Sequence, residues 1–368
     1  MEPGVGPGEM LASDVDETAM EGRGVYHLDF RCGLGEILGL TLITAVLTVV
    51  TLTIYRFWGR TRVRRLLWRR TLLLDDPLEY TGTGWELFTG FIKVLVLVLI
   101  PLILIDRGIN AWQQAAIADA VAVVQEAGKN QPAGAMPDVM DTMWAARDEL
   151  LGPFIARYAY LGLILFLAGL GVYLARRYRL TRTRWRGVRA NQGGSPLTYG
   201  VRYLGFFVAM FLTLGLILPV RNASLWRYRY RNTWFGDTRF DSHASARGLY
   251  GRFILCWLFA LPTLFLSIVF YKAKELRHFV EATRFSDDLR FRLEATGWSL
   301  LWLVLGNFVI AIVTLGLGSP IIQWRQARYV ARRLVAVGAM DLDALQYDPQ
   351  KAPTTGEGLA ESFPDIGI

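Results

Sequence analysis

Leu87-Phe88-Thr89-Gly90-Phe91-Ile92-Lys93-Val94-Leu95-Val96-Leu97-Val98-Leu99-Ile100-Pro101-Leu102-Ile103-Leu104-Ile105 decides the class of this protein. A single charge, Lys93, interrupts the run. A bilayer core about 30 Å thick takes about 20 apolar residues in helix, and this stretch has that length and composition. Working outward, five further windows approach the same pattern: Ile37–Phe57, Phe154–Leu174, Leu204–Val220, Phe253–Phe270 and Leu300–Ile322. Leu204–Val220 and Phe253–Phe270 are short and borrow flanking Tyr, Trp and Arg residues, whose rings and stems suit the headgroup level. The expected fold class is therefore all-α: a polytopic transmembrane helical bundle of about six helices, with internal repeats of a helix plus an Arg/Trp-rich amphipathic segment.

The composition agrees with a membrane protein. Of 368 residues 53% are hydrophobic, the mean hydropathy is +0.30 and the net charge is +8. In a membrane chain such a charge favours basic loops against anionic headgroups. The nucleic-acid reading of a basic chain belongs to soluble proteins, so no nucleic-acid partner is expected. Cys32 and Cys256 have neither metal spacing nor a disulfide framework. His27, His243 and His278 are scattered. Phosphate-binding loops, nucleophile elbows, His-Glu-x-x-His, Cys-x-x-Cys and dinucleotide fingerprints are absent from the sequence. No catalytic residue, cofactor or metal site is assigned, and the chain does not read as an enzyme. Asp75-Asp76 and Asp287-Asp288 stand beside Arg clusters, which favours Arg–Asp pairing over a cation.

Charge sets out the organisation. Residues 1–25 form an acidic tail expected to be disordered, residues 26–337 a membrane domain and residues 338–368 a polar tail; 106–153 is an extramembrane insertion. Arg107–Gly152 is acidic on balance and is placed outside, whereas the Arg-rich connections Arg56–Glu86 and Arg176–Tyr203 are placed in the cytoplasm. Simple alternation then puts Arg221–Arg239 and Gln323–Arg333 outside, although both are basic. A re-entrant or broken window would remove the conflict.

The chain also resembles itself. Thr213-Leu214-Gly215-Leu216 recurs as Thr314-Leu315-Gly316-Leu317, and at the same spacing Pro219, Arg227, Tyr228 and Arg231 match Pro320, Arg328, Tyr329 and Arg332. Thr51-Leu52, Arg65, Arg69 and Thr71 match Thr213-Leu214, Arg227, Arg231 and Thr233. Thr83-Gly84-Trp85 returns as Thr296-Gly297-Trp298. The expected unit is an apolar helix ending in Thr-Leu-Gly, followed by an Arg-rich segment lying in the headgroup plane.

Phe30-Arg31-Cys32-Gly33, Thr51-Leu52-Thr53-Ile54-Tyr55-Arg56-Phe57-Trp58, Asn232-Thr233-Trp234-Phe235-Gly236-Asp237-Thr238-Arg239-Phe240 and Asn307 with Thr314-Leu315-Gly316-Leu317-Gly318-Ser319-Pro320 carry a family resemblance. Together they resemble the YjgN-like bacterial family of unknown function, from about Tyr26 to about Val337. Thr53 departs from the family's Gly, and Gln323-Trp324 departs from an immediate Trp. The resemblance implies a multi-pass protein of the bacterial inner membrane and implies no reaction.

The candidate contacts to a lipid or other anion are Arg65, Arg69, Arg227, Arg231, Arg328 and Arg332, paired four apart so that each pair shares a helix face. Lys93 and Asn307 are candidate intramembrane polar residues, because an amide or charge at membrane depth needs a partner. The expected function is to engage anionic lipid, or a membrane-protein partner or second copy, through the Arg/Trp segments. The alternative is a transporter or channel for a small solute, an anion included, with Lys93 and Asn307 lining its path.

Overall fold

The computed structural model describes residues 24–129, 139–286 and 288–338. The acidic tail through Arg23 and the polar tail beyond Gly338 lie outside the described residues, as does Asp287. The described residues divide into two compact units, one within 24–84, 179–193 and 218–338, the other within 85–178 and 194–217.

The first unit is built on ten strands: β1 (Gly24–Phe30), β2 (Thr71–Leu73), β3 (Asp76–Tyr80), β4 (Thr183–Trp185), β5 (Val188–Gln192), β6 (Thr233–Phe235), β7 (Thr238–Ser242), β8 (Thr283–Phe285), β9 (Leu289–Leu293) and β10 (Leu334–Gly338). They close into an antiparallel barrel in which each strand pairs with its neighbour in sequence and β10 pairs with β1. The all-α expectation is thus corrected: helices connect the strands of a closed barrel, and no six-helix bundle forms. Most of these strands have three to five residues, too few for a period of two to stand out from the Arg-rich helices beside them. Leu289-Arg290-Phe291-Arg292-Leu293 does alternate, with the Arg side chains exposed and Leu289 and Leu293 buried. The β2–β3 and β4–β5 hairpins turn through two residues of positive φ, Leu74-Asp75 and Arg186-Gly187, the twist that short hairpins require.

Aromatic side chains fill the barrel. Trp185 on β4, Phe235 on β6 and Phe285 on β8 have ring centroids 6.3 Å apart in succession. Strands two apart in a sheet lie about 9.6 Å from one another, so rings this close converge inward. Phe240 joins Phe285 at 4.7 Å and Phe291 at 6.1 Å.

Helical excursions leave and return at paired strands. In the first unit these are α1 (Leu34–Val50) with α2 (Arg56–Arg69), α8 (Tyr250–Leu258) with α9 (Leu266–Glu281), and α10 (Gly297–Val313) with α11 (Ser319–Ala331); α7 (Leu218–Arg231) leads into β6. The second unit holds α3 (Gly84–Val94), a π-helical turn at Leu95–Leu99, α4 (Ile100–Lys129), most of α5 (Val139–Thr181) and α6 (Pro196–Leu212). Among the described residues two helical stretches are long and apolar enough to cross a membrane, Gly84–Glu126 and Glu149–Thr181; Leu34–Val50, Pro196–Leu212 and Gly297–Val313 are apolar but shorter. Within the second unit Arg157 bridges from α5 to Asp106 at 2.6 Å and to Gln113 at 3.0 Å, and Tyr160 donates to the Leu102 carbonyl.

The Thr-Leu-Gly stretches are helix-to-helix turns. Leu52-Thr53, Leu214-Gly215 and Leu315-Gly316 all have positive φ, and so do Leu264-Phe265, a copy that the sequence hides because Phe stands in the Gly position. A side chain in the left-handed region costs roughly 1–2 kcal/mol per residue. Phe265→Gly is therefore expected to raise thermal stability in detergent by about 1 kcal/mol, and Gly316→Ala to lower it by a similar amount. Melting curves of the two variants check this, and shifts of the same sign would refute it.

Candidate functional site

α10 and α11 form the walls of an open cavity of about 350 Å³, lined by Ser299, Trp302, Leu303, Trp324, Arg325, Arg328, Tyr329, Arg332 and Arg333. Sequence places the basic residues there through helical spacing: Arg328 follows Trp324 by one turn, Arg332 follows Arg328 by one turn, and Arg325 precedes Tyr329 by one turn. Four guanidinium groups share the groove and no carboxylate lines it.

The walls hold these cations in place. Arg328 lies over the Trp324 ring at 5.1 Å and Arg333 over the Tyr329 ring at 4.4 Å. Such stacking contributes about 0.5–2 kcal/mol, depending on desolvation. Trp324 is buried and donates its indole N–H to the Cys32 carbonyl at 3.1 Å. Tyr329 shares a hydrogen bond of 2.9 Å with Ser299, and Arg325 donates to the Trp302 carbonyl at 3.2 Å. Gly306 makes room for that arginine, because a Cβ there would collide with the Arg325 guanidinium. A weakly hydrated, planar guanidinium on an aromatic face is well suited to phosphate or carboxylate.

The six sequence-matched arginines therefore sit in different surroundings. Arg328 and Arg332 share the groove. Arg65 reaches the Gly82 carbonyl at 2.8 Å, and Arg277 makes the corresponding bond to Ala295 at 2.7 Å, so this position ties a helix to the start of the next excursion. Arg231 is bound to Asp241 at 3.1 Å and to the Ser242 carbonyl at 3.0 Å. Partial burial of Asp241 opposes ionisation, but the Ser242 N–H, His243 and Arg231 together hold its carboxyl below the usual value. Arg69 and Arg227 are exposed on α2 and α7. Lys93 is exposed on α3 in the second unit. Asn307, on α10 in the first unit, keeps a buried Oδ1 without a hydrogen-bond partner among the described residues.

The sequence reading does not single out Arg325, Arg333 or Trp302, and it marks Tyr329 only as the repeat partner of Tyr228. The one-turn spacing of Arg325 from Tyr329 was the signal available for the first. The acidic pairs behave as Arg partners where they are described: Asp75 accepts from Arg31 at 3.0 Å, and Asp76 pairs with Arg186. Glu36 holds Arg70 through both oxygens, and Glu86 accepts from Tyr178 at 2.8 Å. Among the described residues no group of three or more His, Cys, Asp or Glu side chains is placed to hold a metal ion.

The chain matches the family described as a bacterial protein of unknown function (DUF898) over residues 25–270 and 256–362. It is 23% identical over 370 residues to the inner membrane protein YjgN of Salmonella typhimurium strain LT2, covering 88% of this chain and 91% of that protein. No solved structure matches it.

Proposed function

The chain belongs to the DUF898 family of bacterial proteins of unknown function, and on that footing we propose that it holds the anionic headgroup of an inner-membrane lipid in the groove between α10 and α11. It is an inner-membrane protein, as its relative is. The observation that carries the reading is the convergence of Arg325, Arg328, Arg332 and Arg333 in an acid-free groove, two of them stacked on aromatic rings. One wall of that groove is α10, whose Trp302, Phe308 and Ile312 are exposed and suited to acyl chains. A headgroup phosphate would meet the guanidinium groups while its chains run along α10. Transport of a small anion finds less support. The barrel lumen is packed with aromatic rings, and Lys93 stands exposed on a helix of the other unit.

Each basic side chain near an anionic surface contributes about 1 kcal/mol. Replacing Arg328 and Arg332 together by Gln should weaken retention of anionic lipid roughly 30-fold. The measurement is the amount of anionic and zwitterionic phospholipid that copurifies in mild detergent at low and high salt. Arg65→Gln should leave retention unchanged and lower stability instead, because it removes the bond to Gly82. Equal anionic-lipid retention by the folded double variant and the parent would overturn the assignment.

A further inference from the structure

The barrel dictates how the later helices meet the bilayer: we propose that α8–α9 and α10–α11 are re-entrant hairpins, inserted from the cytoplasmic side on which the barrel stands, with their turns inside the hydrocarbon and neither crossing it. Both ends of each hairpin are fixed on one side by strand pairing. Ser242 at the end of β7 is the partner of Thr283 at the start of β8, and Leu293 at the end of β9 is the partner of Leu334 at the start of β10. A helix rises 1.5 Å per residue, so the nine residues of α8 span about 14 Å and the 17 of α10 about 25 Å. Both fall short of the hydrocarbon thickness of about 30 Å.

The turns are made for a medium without water. Leu264 is 82% exposed and Leu315 is 89% exposed, with Leu261 and Val313 each at 76% beside them. Backbone groups in hydrocarbon must find partners within the protein, and here they do. The Phe265 N–H donates to Ala260 at 2.7 Å and the Gly316 N–H to Ala311 at 2.8 Å. Thr263 donates to the Phe259 carbonyl at 2.6 Å and accepts from the Ser267 N–H at 3.2 Å; Thr314 does the same with Ile310 and Gly318, at 2.6 and 2.8 Å.

Charge divides each hairpin along its length. No ionisable Asp, Glu, Lys, Arg or His lies between Arg252 and Lys272, or between Glu294 and Arg325. Arg284 and Arg290 stand exposed on the barrel wall below. A one-sided insertion keeps Gln323–Arg333 on the cytoplasmic side, which removes the conflict with the positive-inside rule for that segment. The α1–α2 hairpin is excluded, because Arg56 follows Leu52 by only one turn. The insertion does not depend on whether the groove holds a lipid.

Single cysteines at Leu264, Leu315, Phe308 and Arg290, in a background lacking Cys32 and Cys256, test the proposal with a membrane-impermeant maleimide. Applied to spheroplasts and to inverted membrane vesicles, the reagent should label Arg290→Cys in inverted vesicles alone. Leu264→Cys, Leu315→Cys and Phe308→Cys should react from neither side, and should react once the membranes are dissolved in denaturant. Phe308→Cys lies within α10, away from the turn, and keeps the test open if a turn variant fails to accumulate. Labelling of a turn cysteine in spheroplasts would mean a full crossing, and labelling in inverted vesicles would mean a turn at the surface; either overturns the proposal.

Discussion

Trp185→Ala is expected to destabilise the protein by about 3–5 kcal/mol, the range for removing a large aromatic side chain from a core. Trp185 is fully buried, packs against Phe235 and donates its indole N–H to the Leu73 carbonyl at 3.2 Å. The substitution thus opens a cavity in the barrel lumen and orphans a carbonyl on β2. Trp185→Phe keeps a ring in place and should cost less than half as much. Arg290→Ala on the outer wall should stay within about 0.5 kcal/mol of the parent. Thermal unfolding in detergent, followed for all three variants, decides the matter. A Trp185→Ala protein as stable as Arg290→Ala would mean that the rings are not the core of the barrel.

The second large effect is expected at Glu275 in α9. This carboxylate is fully buried. Asn222 of α7 donates to its Oε1 at 2.8 Å, Tyr271 donates at 3.3 Å, and the Lys272 ammonium lies 2.7 Å from Oε2. Glu275→Ala leaves the Asn222 amide and the Tyr271 hydroxyl unsatisfied, at about 1–3 kcal/mol for each such group. Lys272 is partly exposed and recovers hydration, so the total expected is about 3 kcal/mol, near the lower end for a broken buried pair. Glu275→Gln can still accept from Asn222 and should cost about 1 kcal/mol. Equal melting temperatures for the Ala and Gln variants would show that the bonds to Asn222 and Tyr271 contribute little.

Asn222 illustrates how far the sequence could be read at the level of single residues. In sequence it stands out only within Asn222-Ala223-Ser224, a chance match to a glycosylation acceptor, whereas in the fold it is the partner of a buried acid on another helix. Arg65, Arg227 and Arg328 look equivalent along the chain. One is tied to a backbone carbonyl, one is exposed, and one lies on a tryptophan in the groove. Matched spacing reports that residues occupy the same place in a local unit. What faces that place comes from the neighbouring excursion, which differs each time.

The sequence by itself determined that this is a membrane protein and that its helices end at Thr-Leu-Gly, but it put six apolar helices where two described stretches are long enough to cross a bilayer. It also determined that Arg and Trp gather on the helices that follow these turns. Those properties depend on residues within about 20 positions of one another, where helical periodicity and length act directly. Only the tertiary structure decided the barrel, because it is closed by pairs such as Gly24 with Gly338 and Tyr26 with Ala336, drawn from opposite ends of the chain. A strand of three residues such as Thr183-Arg184-Trp185 has no stable form alone and leaves no periodic trace. It becomes a strand because β3 and β5 flank it and the Trp185 ring has a lumen to fill. The same closure brings both ends of the α8–α9 and α10–α11 excursions to paired strands, a constraint that counting apolar windows does not contain.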